Sequence, residues 1–195
     1  VIKLTRPACP RADLLKTDYS APVNKQALRQ ASCSKCMYCE GLVDDIYPGD
    51  VEHIKPKKVF PELMYEWSNL GYACWKCNNK KRDKYDATCE IVNPYDEDPN
   101  QYLEVGMLNI TLEPTQSNQK AGRTIVDVDL NRRSLCEKRA SRIKEIGNIC
   151  DMVDAISDPV KKNSFIEILL KEADADRSYS LFVKHYLLSR GYDLV

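Results

Sequence analysis

Four cysteines arranged as two C-x-x-C pairs, Cys36 with Cys39 and Cys74 with Cys77, imply chemistry most directly. Each pair fits a tight turn, and together they supply the four soft thiolates that tetrahedral Zn²⁺ prefers. Burial as small apolar side chains is the plainer fate of a cysteine, but two spaced pairs argue against it. Cys33 also stands three residues before Cys36; Cys39 is preferred because it abuts the glycine segment that opens the next element. With four protein ligands the ion is structural, so any reaction needs a second centre. Between the pairs runs Val51-Glu52-His53-Ile54-Lys55-Pro56, where His53, one of two histidines, sits beside a carboxylate. After the second pair comes Asn78-Asn79-Lys80-Lys81-Arg82-Asp83-Lys84. Zinc, an acid–histidine pair and clustered cations in one short segment suggest phosphodiester chemistry.

The chain that must position these groups has 195 residues and a formal net charge of +0. It is long enough for one sizeable domain, or for a small metal-organised module with a helical partner. Zero net charge excludes a generally basic nucleic-acid binder, so affinity for phosphate has to come from the local cations between His53 and Lys84. Nine cysteines, an odd number, with no opening signal-peptide pattern, fit a reduced compartment and bound zinc better than a disulfide framework; the expected location is the cytoplasm. The longest apolar runs, such as Ile166 to Leu170, are too short to span a bilayer.

The patterning predicts an α+β chain. Val1 to Leu4 reads as a short strand, followed by an irregular arm carrying Pro7, Pro10 and Pro22, and then a short helix over Lys25 to Gln30. Leu42-Val43 and Val51 to Ile54 read as a hairpin around a Tyr47-Pro48-Gly49-Asp50 turn, with Pro56 ending the second strand and Trp67 anchoring a core. From Cys77 a lysine-rich exposed helix follows, with Asn78 and Arg82 one turn apart. Asn93 to Pro99 reads as a proline-bounded linker. Leu108 to Leu112 and Thr124 to Val128 alternate as a second hairpin, joined by the polar stretch Gln116 to Gly122. Asn131 reads as the cap of a long helix with Leu135, Ile143, Ile146, Ile149 and Val153 on its apolar face. Two more helices are expected, around Val160 to Ala173 and Ser178 to Leu188. The expected division is 1–92, the arm plus a zinc-stabilised module; 93–130, a linker and hairpin; and 131–195, a helical region that completes a core or docks a partner.

The order Glu52-His53-Ile54-Lys55-Pro56, Asn69-Leu70, Cys74-Trp75-Lys76-Cys77-Asn78 resembles the HNH endonuclease family with its ββα-metal core. Further segments are similar to the HNH nuclease subunit of Septu-type antiphage systems, found also in retron defence cassettes. They are Cys36-Met37-Tyr38-Cys39-Glu40, Glu66 to Leu70, Asn93-Pro94-Tyr95 through Asp98-Pro99, and Leu130-Asn131-Arg132. This similarity covers roughly the first two-thirds of the chain.

The resemblance implies a metal-dependent endonuclease, with DNA as the expected substrate and an ATPase subunit as partner. His53 is then the general base, Glu52 and Asn78 are ligands of a catalytic Mg²⁺ or Mn²⁺, and Asn69 braces the loop. Imidazole is neutral enough near pH 7 to take a proton from water, and carboxylate and amide oxygens are hard donors suited to those ions. Glu52 is one methylene longer than the aspartate usual in such motifs, and Asn79 and Asp83 are alternatives to Asn78. Neighbours on a regular strand face opposite ways, so Glu52 and His53 share one phosphate only if the strand is distorted. Lys55, Lys57, Lys80, Lys81, Arg82 and Lys84 are expected on nucleic-acid phosphates, against the plainer reading of a solvated charged face. The rival to an enzyme is a zinc-stabilised module that grips nucleic acid or protein without cutting.

Overall fold

A computed structural model describes residues 2–43, 48–106, 108 and 110–193. The architecture is α+β: two separate two-stranded antiparallel hairpins, and helices that cover them and continue as a C-terminal bundle. The expected strand at the N-terminus is instead an irregular arm. Leu4 is buried, but its amide bonds singly to the Pro94 carbonyl, and among the described residues no strand lies alongside to continue a ladder. Helix α1, Pro22–Ala31, begins on a proline that presets helical φ. Its buried Asn24 accepts from the Arg11 amide and donates to the Arg11 carbonyl, each at 3.0 Å, which fastens the arm to the helix.

Strand β1, Asp50–His53, pairs with β2, Leu70–Ala73, in the register Asp50↔Ala73 to His53↔Leu70. The expected partner, Leu42-Val43, is used elsewhere: Leu42 makes only an isolated bridge to Lys35. The reason is the cysteine turn. Cys36 donates to the Gly41 carbonyl and Glu40 to that of Cys36, closing residues 35–43 into a knuckle whose Met37 amide bonds Tyr72 of β2. A side chain at Gly71 would collide with the Met37 sulfur at 2.3 Å, so glycine lets the knuckle lie on the strand. Tyr47 of the expected turn lies outside the described residues.

Helix α2, Trp75–Lys81, follows β2 directly and ends at Arg82, whose φ of 46° breaks the helical path. The order β1, β2, α2 is a ββα unit as expected, but its strands are Asp50–His53 and Leu70–Ala73, so the acid–histidine pair lies on the first strand and a long loop separates the two.

Strand β3, Leu103–Val105, pairs with β4, Leu112–Pro114. The second hairpin therefore sits earlier than expected, and Asn109 of the expected strand lies outside the described residues. The run Thr124 to Val128, read as a strand for its β-branched residues, belongs to helix α3, Gln119–Val128. Asn118 caps that helix by accepting from the Ala121 amide, and Ala121, Thr124 and Val128 recur at helical spacing on its buried side. The supposed linker is docked: Val92 and Tyr95 are buried, and the Arg6 guanidinium lies 4.1 Å above the Tyr95 ring.

The long helix α4, Arg133–Asp154, is present, but Arg132 rather than Asn131 occupies its cap position. Asn131 is drawn to β4, where its amide bonds both backbone groups of Leu112 at 2.8 Å. Helices α5, Pro159–Leu170, and α6, Ser180–Ser189, complete the chain. One core draws on residues from Leu4 to Phe182 and so runs through all three expected segments. A smaller one joins α4, α5 and α6 through Ile146, Cys150, Leu169, Val183 and Leu187. Among the described residues no helix is long and apolar enough to cross a membrane.

Candidate active site

The knuckle and the start of α2 bring the Sγ atoms of Cys36, Cys39, Cys74 and Cys77 within 4.8 Å of one another. Four sulfurs about 2.3 Å from a tetrahedral zinc stand roughly 3.8 Å apart, so the cluster fits that ion with little adjustment; Cys39 and Cys74 are already 4.0 Å apart. Cys33 is exposed and outside the cluster, which selects Cys39 as the upstream ligand. Three of the four thiols are buried. The Arg132 guanidinium donates to Cys77 Sγ at 3.5 Å. Burial pulls its pKa down, but the charges of Cys77, Cys39 and Cys74 and the bond to Cys77 together outweigh that and raise it, so the arginine stays charged.

On the other side of α2 a cleft of about 730 Å³ is lined by Asp50, Glu52, His53, Asn78, Lys57 and Arg82, among others. His53 Nε2 is 2.9 Å from the Met64 carbonyl. A carbonyl only accepts, so the proton sits on Nε2 and Nδ1 keeps its lone pair. No described residue bonds Nδ1, and Tyr19 packs edge-on against the ring at 4.7 Å. Burial lowers the pKa of His53; the Met64 bond opposes this, and the Lys57 and Lys81 charges add to it. The imidazole is therefore held neutral, in the tautomer a base requires.

Glu52 is only 3% exposed. Its Oε1 meets the Lys81 ammonium at 2.7 Å and accepts from the Tyr38 hydroxyl at 3.2 Å, while Oε2 is bonded by no described residue. Burial raises its pKa, with Lys81 and Tyr38 pulling the other way. Asn78 donates through Nδ2 to Asp50 Oδ2 at 2.9 Å, which leaves its amide oxygen as an acceptor. Carboxylate and amide oxygens lining one cleft are hard donors of the kind Mg²⁺ and Mn²⁺ take, although among the described residues only the four cysteines form a group of three or more His, Cys, Asp or Glu close enough to hold an ion. No kink of β1 is needed, since its residues 50–53 keep register with β2 and His53 reaches the cleft from the strand's end.

Asn69 lies behind the cleft, accepting from the Lys55 amide at 2.7 Å and donating to the Lys55 and Leu63 carbonyls. It ties the two ends of the long β1–β2 loop together. The expected phosphate-contacting cations divide sharply. Lys57 and Arg82 line the cleft, Lys57 bonding the Tyr19 hydroxyl at 2.7 Å. Lys81 is 1% exposed, and its ammonium is spent on Glu52 and on the His53 carbonyl, so it is an internal counterion rather than a phosphate ligand. Lys55 pairs with Glu90, Lys80 with Asp129, and Lys84 bonds the Asp127 carbonyl. Asp50 and Lys25 are cleft residues that sequence reasoning did not nominate. A signal for Asp50 existed: residues two apart on a strand share a face, so Asp50 belongs with Glu52.

The model of the family described as HNH endonuclease matches residues 36–84, the span from the first zinc-pair cysteine past α2. The chain is 34% identical over 111 residues to a Septu protein PtuB of Bacillus thuringiensis, covering 56% of this chain and 41% of that protein. It is 27% identical over 152 residues to a Septu protein PtuB of Bacillus mycoides (strain KBAB4), covering 63% of this chain and 51% of that one. The chain thus spans about half the length, or less, of the curated relatives it matches.

Proposed function

We propose that this chain is a metal-dependent HNH endonuclease that hydrolyses phosphodiester bonds in nucleic acid, with DNA as its substrate. The observation that carries the reading is the His53 tautomer. The Met64 carbonyl holds the proton on Nε2, and Nδ1, bonded by no described residue, belongs to a side chain lining the same cleft as Asp50, Glu52 and Asn78. Nδ1 takes a proton from a water molecule as its oxygen bonds to phosphorus. The bond from phosphorus to the 3′ oxygen breaks, leaving a 5′ phosphate and a 3′ hydroxyl once that oxygen is protonated from solvent. Glu52 and Asn78, with Asp50 beside them, would hold Mg²⁺ or Mn²⁺. When bound, such an ion offsets charge developing on the phosphate and the leaving oxygen. Lys57, Arg82 and Lys25 attract the strand without reading its sequence. Zinc at Cys36, Cys39, Cys74 and Cys77 fixes the hairpin against α2 and takes no part in the reaction.

Similarity to Septu proteins supports a role in antiphage defence, where an ATPase subunit would hold the nuclease idle. Residues 131–195, with Phe165 and Ile168 exposed on α5, would dock that subunit. Nine thiols without a disulfide fit the cytoplasm. The test is purified protein on plasmid DNA with Mg²⁺ or Mn²⁺, alone and with the ATPase encoded beside it. Cutting that is lost with EDTA and in His53→Ala supports the mechanism. Cutting that survives the substitution refutes it, and binding without cutting under every condition leaves the non-cleaving module.

A further inference from the structure

The cations that the sequence nominated for phosphate contact are mostly committed to protein partners, which directs attention to those that are not. Lys76 and Lys138 engage in no ion pair or hydrogen bond among the described residues, and both line a second groove of about 530 Å³ over the cysteine cluster. Among its described lining residues there is no carboxylate. Arg132 lies there too, but its charge is taken up by the thiolates. One side chain stands between this groove and the cleft and lines both: Trp75, the first residue of α2, 59% exposed. A tryptophan this open gains little from packing against its own chain. It offers a flat π-surface at the point where a strand leaving the cleft would pass.

We propose that the groove beyond Trp75 continues the nucleic-acid track, with the indole stacking on an unpaired base and Lys76 and Lys138 holding the phosphates that follow. This rests on the nuclease reading and adds a substrate class to it. Stacking on a side chain requires a base free of its own helix, so the preferred ligand is single-stranded, or a duplex with a frayed or single-stranded extension. Charge complementarity and continuity with the cleft favour nucleic acid over a protein segment as occupant.

Trp75 and Trp67 are the only tryptophans, and Trp67 is half-buried with its indole N–H bonded to the Pro7 carbonyl, so fluorescence reports the event cleanly. In a His53→Ala background, which removes turnover, oligothymidylate should quench the emission of the Trp67→Phe protein and leave that of Trp75→Phe unchanged. Blunt duplex should quench weakly. Trp75→Ala should weaken oligothymidylate binding by about tenfold or more, and Trp75→Phe should recover most of it. Unchanged oligothymidylate affinity in Trp75→Ala, or equal quenching by blunt duplex, overturns the proposal. These binding results do not depend on turnover, so failed cleavage with intact quenching counts against the catalytic reading alone.

Discussion

Two donor sets of opposite character meet at helix α2. On one side four sulfurs from two tight turns lie within 4.8 Å, and three of the four cysteines are buried. On the other, oxygen and nitrogen donors line an open cleft of about 730 Å³. The first set is soft and complete, so an ion there has no position left for a substrate. The second is hard and half-committed: Glu52 gives one oxygen to Lys81 and Tyr38, Asn78 gives its nitrogen to Asp50, and His53 gives Nε2 to a carbonyl. With an ion bound, the saturated site would stabilise the fold, whereas the unsaturated one keeps room for a substrate. A single short helix serves both because Cys77 and Asn78 are consecutive and project to different sides.

The sharpest way to break this contrast is to empty the sulfur cluster. Cys77→Ser, or removal of zinc by a strong chelator, should cost on the order of 10 kcal/mol and abolish cooperative unfolding in residues 36–84, read by circular dichroism alongside metal content. A variant that loses its zinc and keeps its thermal transition would remove the structural role. Next, His53→Ala should slow cleavage by roughly 10²- to 10⁴-fold while zinc content and thermal midpoint stay near those of the parent. If the midpoint instead falls as it does without zinc, the two sides of α2 are not separable.

Lys81→Met probes the wall between them. It leaves the Glu52 carboxylate buried and unpaired, so denaturant unfolding should show a loss of about 3–5 kcal/mol. Adding Glu52→Gln should recover part of it. Strict additivity of the two substitutions would mean that the pair carries no coupling.

The smallest effect concerns acidity. Burial holds His53 below its ordinary pKa of 6.5, and the base must be neutral to work. The value of kcat/KM should then stay flat from neutral pH down to that value, and fall only below it, tending towards roughly tenfold per unit. A decline already under way above pH 7 would assign the base to another group. The same shift acts on stability in the same direction. The unfolded chain binds this proton more readily, so His53's contribution is fully present above the unfolded value of 6.5 and is lost as pH falls below it and through the lower folded pKa.

Cysteine spacing was enough to nominate the four-sulfur cluster, and the acid–histidine pair with Asn78-Asn79 carried the resemblance that implied a ββα order, though with Leu42-Val43 expected where Leu70–Ala73 pairs. Those features are local: a C-x-x-C turn and a helix start are set by neighbours in the chain. Choice among partners was not legible. Leu42-Val43 and Leu70–Ala73 are both short apolar runs, and only closure of the cysteine knuckle gave β1 the second. Thr124 to Val128 has strand-like composition, but the Asn118 cap and packing of Ala121 and Thr124 made it a helix. Lys81 stood in a lysine run indistinguishable from its neighbours.

By itself, then, the sequence determined which atoms are available: four thiols, an imidazole, carboxylates, an amide and a cluster of cations, with spacings that only a few local turns satisfy. Tertiary structure decided which of them remain free. A buried Lys81 must find a counter-charge and takes an oxygen of Glu52, and Met64 fixes the His53 tautomer. Asp50 enters the cleft, and Lys76 and Lys138 are left without partners among the described residues beside Trp75. The physical reason is that a charge or hydrogen bond is satisfied by whatever lies within about 3 Å in space, and distance along the chain does not encode that.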